Sequence, residues 1–123
     1  LLILGGSNSL RGGVPAEEVI RDLQEIQQKC RDHNIVPILL TLPPINPSSI
    51  DKVFHEPTAE GWEEAFRKVN AFIRTQPHID TAAAFLYDNL MPEYLALDGL
   101  HGDVEAKKRM ADMINRHIGE FVK

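Results

Sequence analysis

Apolar residues fall along this chain in two rhythms. Leu1–Leu4 form a short continuous apolar run that feeds into Gly5-Gly6-Ser7-Asn8-Ser9. Such a run, closed by small residues, reads as a buried parallel strand that ends in a loop. Ile35 to Leu42, IVPILLTL, repeats the pattern and is stopped by Pro43 and Pro44. His78 to Phe85, HIDTAAAF, is a weaker third example. Between these runs the period is helical. Val19, Ile20, Leu23, Ile26 and Cys30 recur among Glu17, Glu18, Asp22, Glu25 and Lys29, which predicts a helix from about Pro15 to His33, closed by Asn34. Trp62, Phe66, Val69 and Ile73 predict a second, from about Thr58 to Gln76, with Thr58 as its N-cap and Pro77 as its stop. From about Asp103, the residues Val104, Ala111, Ile114, Ile118 and Phe121 mark a terminal helix. Ile45 to Pro57 reads as a loop, on the turn formers Pro47, Ser48 and Ser49. Leu90 to Leu97 reads as irregular chain or one short helical turn.

Strands that alternate with helices imply an α/β domain whose parallel sheet is joined by right-handed crossovers. In such folds the sites lie at the carboxyl ends of the strands. Three segments qualify by position: the GGSNS stretch, the chain after Pro43, and the stretch ending in DGLHGD.

Composition narrows the partners. The chain has 123 residues, enough for one domain, and is 43% hydrophobic and 25% charged, as globular domains are. A net charge of −5 argues against nucleic acid or an anionic membrane as the main partner. No apolar run is long enough to span a bilayer. One cysteine, Cys30, excludes an internal disulfide or a multi-cysteine zinc site, and its place in the helical stripe predicts a buried thiol. Residue 1 already lies inside a core strand, whereas domain boundaries fall in polar linkers, so the expectation is that natural sequence precedes Leu1. Compartment is not legible.

The candidate chemistry sits in two places. Ser7 or Ser9, just after a strand, could be a nucleophile. The G-x-S-x-G elbow of α/β-hydrolases is incomplete here, however, because Ser9 stands where its second glycine belongs. Loop or capping roles suit both serines better. Asn8 on the same loop could aim its amide at a developing oxyanion, or could simply tolerate a left-handed turn. Farther on, Asp98-Gly99-Leu100-His101 can fold back in a tight turn. The carboxylate then orients one imidazole nitrogen and leaves the other as a base. A helix-capping Asp beside a solvated His is the plainer reading of that stretch. Metal ligation by Asp98, His101 and Asp103 is disfavoured, since no second histidine stands at ligand spacing. Gly12-Gly13 with Arg11 lacks the Lys-Ser/Thr of a phosphate loop. Trp62 belongs to an apolar stripe and reads as core rather than a substrate platform.

Together, G-G-S-N after an apolar strand, T-L-P-P after a second, and D-G-L-H before a C-terminal helix resemble the latter part of the SGNH (GDSL-type) hydrolases. Carried over residue by residue, Gly6 and Asn8 match that family's G-x-N-D motif, and Asp98 and His101 match its final D-x-x-H. Met110 and Ala111 in the following helix fit as well. Ser9 departs from the usual Asp after the Asn, and Gly102, Ala106 and Lys107 stand where the family favours Pro, Gly and Tyr.

The resemblance implies a three-layer, flavodoxin-like parallel sheet, present here in part with about three strands, as the C-terminal part of a single domain. It implies ester hydrolysis by a Ser-His-Asp mechanism on a small ester substrate. Asp98 and His101 would be catalytic, with Asn8 and Gly6 in the oxyanion hole. The nucleophile would lie upstream of Leu1, so that this chain alone would be inactive. No metal or organic cofactor is required. The Leu1–Leu4 strand would be an apolar edge that pairs with an N-terminal segment of the protein or with a second copy. The alternative is a non-catalytic α/β module that binds a ligand or partner at the same strand ends.

Overall fold

The computed structural model describes residues 1–85, 90–92 and 94–121. In chain order the elements are β1 (Leu2–Ile3), α1 (Ser7–Arg11), α2 (Ala16–Asp32), β2 (Ile38–Leu40), α3 (Pro47–Phe54), α4 (Trp62–Arg74), β3 (His78–Ile79), a 3-10 turn over Thr81–Phe85, α5 (Val104–His117) and a last 3-10 turn over Ile118–Glu120. The architecture is α/β, with a small three-stranded sheet in the order β1-β2-β3. β1 and β2 run parallel, with Leu2 opposite Ile38 and Ile3 opposite Leu39. The chain divides into two compact units. One comprises Leu1–Leu42 with Ala59–His78, the other Pro43–Thr58 with Ile79–Lys123.

In the first unit α1, α2 and α4 pack together, around the buried side chains Ile3, Leu10, Val19, Leu23, Phe66, Val69 and Ile73. α2 forms where its stripe predicts, but the buried face is turned by one residue. Gln27 is buried and Ile26 is 39% exposed. The buried Gln27 amide is satisfied by Gln76, with Nε2 donating to Oε1 at 3.2 Å. Cys30 is buried and free, as expected. α2 ends at Asp32, and Asn34 beyond it takes a left-handed φ of 59°.

Several expectations are corrected here. The second strand covers only Ile38–Leu40 of the predicted Ile35–Leu42, and Ile35 and Val36 are exposed. Pro37, inside the run, has no N–H to place in a ladder. Thr58 does not cap α4. Gly61 does, in a left-handed conformation with no side-chain cap, and α4 starts only at Trp62. Trp62 is half-buried, standing edge-on to Phe66 with ring centroids 5.3 Å apart. Only Gly5 and Gly6 of the GGSNS segment are loop, and Ser7 onward is helical. After Gly6 the chain coils directly into α1, because the buried Leu10 anchors that turn and its N–H reaches the Gly6 carbonyl at 3.0 Å.

β1 is an outer strand of the sheet, and Leu1, Leu2 and Leu4 are 62%, 41% and 47% exposed. The apolar edge anticipated from the sequence is therefore present. In the described residues, no helix is long and apolar enough to cross a membrane.

In the second unit Phe85, Met91, Leu95, Ala96 and Ala106 form a core, with Ala84 and Met110 against it. The predicted loop from Ile45 to Pro57 instead holds α3. Its start carries a capping signature that reads equally well as a turn. Asn46 accepts from the Ser49 N–H at 3.3 Å, and Pro47 takes the first helical position, where its missing N–H has no cost. The predicted strand His78–Phe85 shrinks to His78–Ile79, and Thr81–Phe85 closes into a 3-10 turn. Part of the Leu90–Leu97 stretch lies outside the described residues. α5 starts as expected, with Asp103 accepting from the Ala106 N–H at 3.0 Å. Its packed face differs from the predicted stripe, since Ala106 is buried while Val104 is 83% exposed and Ala111 is also exposed.

Candidate active site

The second unit holds the Asp98–His101 pair. Asp98 Oδ1 accepts from the backbone N–H of Leu100 at 2.8 Å and of His101 at 2.7 Å. Its other oxygen, Oδ2, lies 2.8 Å from His101 Nδ1. One side chain thus closes the turn and orients the imidazole at once. An ionised carboxylate only accepts, so Nδ1 carries the proton and Nε2 keeps its lone pair. Partial burial pushes the Asp98 pKa up. The two backbone N–H groups and the imidazole more than offset this, and the pKa lies below its ordinary value of 3.8. The carboxylate is therefore ionised at neutral pH.

The turn depends on Gly99, which has a φ of +78°. A methyl at that position would run into the Asn46 carbonyl oxygen and lie 2.9 Å from Ser49 Cβ. Asn46 is the brace behind the turn. Its N–H donates to the Gly99 carbonyl at 2.8 Å, and its amide nitrogen donates to the Met91 carbonyl at 3.1 Å. Sequence reasoning missed Asn46, although Asn-Pro at a helix start is a recognisable cap signal. It also missed Phe54, the last residue of α3, whose ring stands edge-on to the His101 imidazole with centroids 6.3 Å apart.

The other predicted residues, Gly6 and Asn8, belong to the first unit. Gly6 has a φ of +117°, and a Cβ there would lie 2.7 Å from Val19 Cγ1. Only glycine fits, and α1 follows directly from its turn. Asn8 is exposed on α1, and its Oδ1 accepts from Arg11 Nε at 3.2 Å. With that oxygen engaged, the amide N–H groups are the ones left to donate to a ligand.

Ser7 is the first residue of α1. The strained nucleophile of a hydrolase elbow sits at the apex of its turn. Here the positive φ falls on Gly6, and among the described non-glycine residues only Asn34 and His55 have positive φ. Ser7 is therefore not held as an elbow nucleophile is. No three metal-ligating side chains gather among the described residues. A shallow depression of about 440 Å³, lined by Arg31, Asn34, Ile35, Val36, Pro37 and Pro77, contains none of the candidate residues.

No protein-family model matches the chain, and no curated protein matches it. The fold has a solved counterpart. It is similar to that of a "putative platelet activating factor from Streptococcus pneumonia", with a TM-score of 0.68 and 18% sequence identity. The match takes in 95% of this chain and 58% of that one, so this chain spans little more than half of its counterpart's length. At that identity the likeness is one of fold.

Proposed function

We propose that this chain is the C-terminal part of a serine esterase of the SGNH type, with a flavodoxin-like three-layer arrangement in the complete protein. One observation carries the reading. Asp98 grips the His101 Nδ1 and two backbone N–H groups together, so Nε2 is presented as an oriented base. The fold-level likeness agrees with this reading without specifying the chemistry.

In the proposed reaction His101 Nε2 takes the proton of a serine hydroxyl supplied by sequence upstream of Leu1. The serine oxygen bonds to the ester carbonyl carbon, whose π electrons move to its oxygen. The resemblance to the SGNH family assigns the oxyanion to the Asn8 amide and the Gly6 turn, which belong to the first unit. As the tetrahedral centre collapses, the bond to the alcohol oxygen breaks with its electron pair, and the imidazolium returns its proton to that oxygen. Water then repeats the cycle and releases the acid. Asp98 stays ionised throughout and stabilises the imidazolium.

The test uses the full-length natural protein. His101→Ala should abolish ester hydrolysis and labelling by a fluorophosphonate probe, with the label in wild type found on a serine preceding Leu1. Near-normal turnover in His101→Ala defeats the assignment. A label on Ser7 moves the nucleophile into this chain, and failure of the folded wild type to label leaves a non-catalytic binding module.

A further inference from the structure

Beside the Asp98–His101 pair stands an apolar ring, Phe54, that the proposed reaction leaves unused. In the second unit Val53 and Phe54 at the end of α3, Leu97 beside Asp98, and Val104 at the start of α5 are exposed by 51%, 39%, 81% and 83%. Exposed apolar side chains scattered singly over a surface are ordinary. Leu97 and Val104, however, flank the Asp98–His101 turn along the chain. The Phe54 ring stands edge-on to the imidazole, with centroids 6.3 Å apart and an interplanar angle of 74°. Phe54 is brought there by the helix whose cap residue, Asn46, also holds the Gly99 carbonyl. The aromatic ring and the base are thus positioned by one shared brace.

Resting on the proposed reaction, we infer that Phe54 selects the alcohol side of the ester and that the substrates are esters of apolar alcohols. When the tetrahedral centre collapses, the imidazolium gives its Nε2 proton to the leaving alcohol oxygen. Proton transfer requires that oxygen within about 3 Å of Nε2. The first carbons of the alcohol therefore lie beside the imidazole, the ring that Phe54 stands edge-on to. The acyl chain leaves the carbonyl carbon in another direction and is under no such constraint toward His101. An alkyl group placed near Phe54 sheds water against an apolar ring. A polyhydroxy alcohol would give up hydrogen bonds to water there, and a phenyl ring returns none of them.

The experiment measures kcat/KM for the full-length protein and two variants, Phe54→Ala and Phe54→Leu, on two sets of esters. One set varies the alcohol at constant acid: butyl acetate and glyceryl monoacetate. The other varies the acid at constant alcohol: butyl acetate, butyl butyrate and butyl octanoate. Wild type should prefer butyl over glyceryl acetate. Phe54→Ala should lower that ratio by about tenfold, the low end of what one missing methylene costs in an apolar site. Phe54→Leu keeps apolar bulk and should retain the ratio to within about twofold. Ratios within the acid set should be the same in all three proteins. An unchanged butyl-to-glyceryl ratio in Phe54→Ala overturns the inference, and so does a change confined to the acid set. His101→Ala separates the two levels. Residual hydrolysis there removes the proposed reaction itself. Its loss, together with unaltered alcohol selectivity in Phe54→Ala, removes only the role given to Phe54.

Discussion

Gly99→Ala perturbs the fold and the candidate site at one atom. The structure supplies its own control, because Gly61 has a φ of +77° against +78° at Gly99. The backbone penalty for an L side chain in that region is about 1–2 kcal/mol at either position. A methyl at Gly61 meets nothing within 4 Å, so Gly61→Ala should cost that much and no more. At Gly99 the same methyl runs into the Asn46 carbonyl oxygen and lies 2.9 Å from Ser49 Cβ and 3.0 Å from Ile50 N. Two of those atoms are backbone of a capped helix start and cannot rotate aside. Overpacking of this kind costs a further 1–3 kcal/mol or so. If the turn shifts to relieve it, the 2.8 Å bond from Asn46 N–H to the Gly99 carbonyl is lost as well, about 1 kcal/mol more. Gly99→Ala should therefore destabilise by roughly 2–6 kcal/mol, at least about 1 kcal/mol beyond Gly61→Ala. Urea unfolding followed by circular dichroism gives both values. The His101 imidazole resonances of the folded fraction report whether the turn has moved. Equal costs for the two variants would refute the claim that Asn46 and Gly99 form a tight brace.

Two further outcomes follow from the site. Asn8→Ala in the full-length protein should lower kcat by about 10²–10³ while KM changes little, as for loss of one oxyanion donor; equal losses in binding and turnover would instead assign Asn8 to substrate binding. The Asp98 pKa is lower in the folded state than its ordinary 3.8, so the carboxylate's contribution to stability is present above that value and is lost as pH falls through the lower folded one. Wild type should accordingly lose more stability than Asp98→Asn when urea midpoints are compared at about pH 5 and pH 2.5, and parallel acid profiles would show that the bonds from Leu100 and His101 do not hold the charge.

Much of this protein is decided locally and is legible in its residues. α2 follows from apolar positions every three or four residues. α5 starts at Asp103 because a cap bond reaches only three residues along the chain. The Asp98–His101 contact is equally short-range. Asp at one end of D-G-L-H, a glycine that accepts positive φ, and His three residues later suffice to bring carboxylate and imidazole together. Long-range contacts decide the rest. Strand length is set by the neighbouring ladder, so Ile35 and Val36 are apolar and exposed while Ile38–Leu40 pair. Which face of α5 is packed depends on the core around Phe85 and Leu95, and for that reason Ala106 is buried rather than Val104 or Ala111. The stretch after Asn46 satisfies the rules for a turn and for a helix start alike, and burial of Ile50 in the second unit selects the helix. That choice carries Phe54 to His101 and Asn46 to Gly99. The sequence by itself places a carboxylate and an imidazole within reach of one tight turn. Only the tertiary structure decides what braces the pair and which apolar ring borders it, because residues far apart in the chain meet only once the core between them has packed.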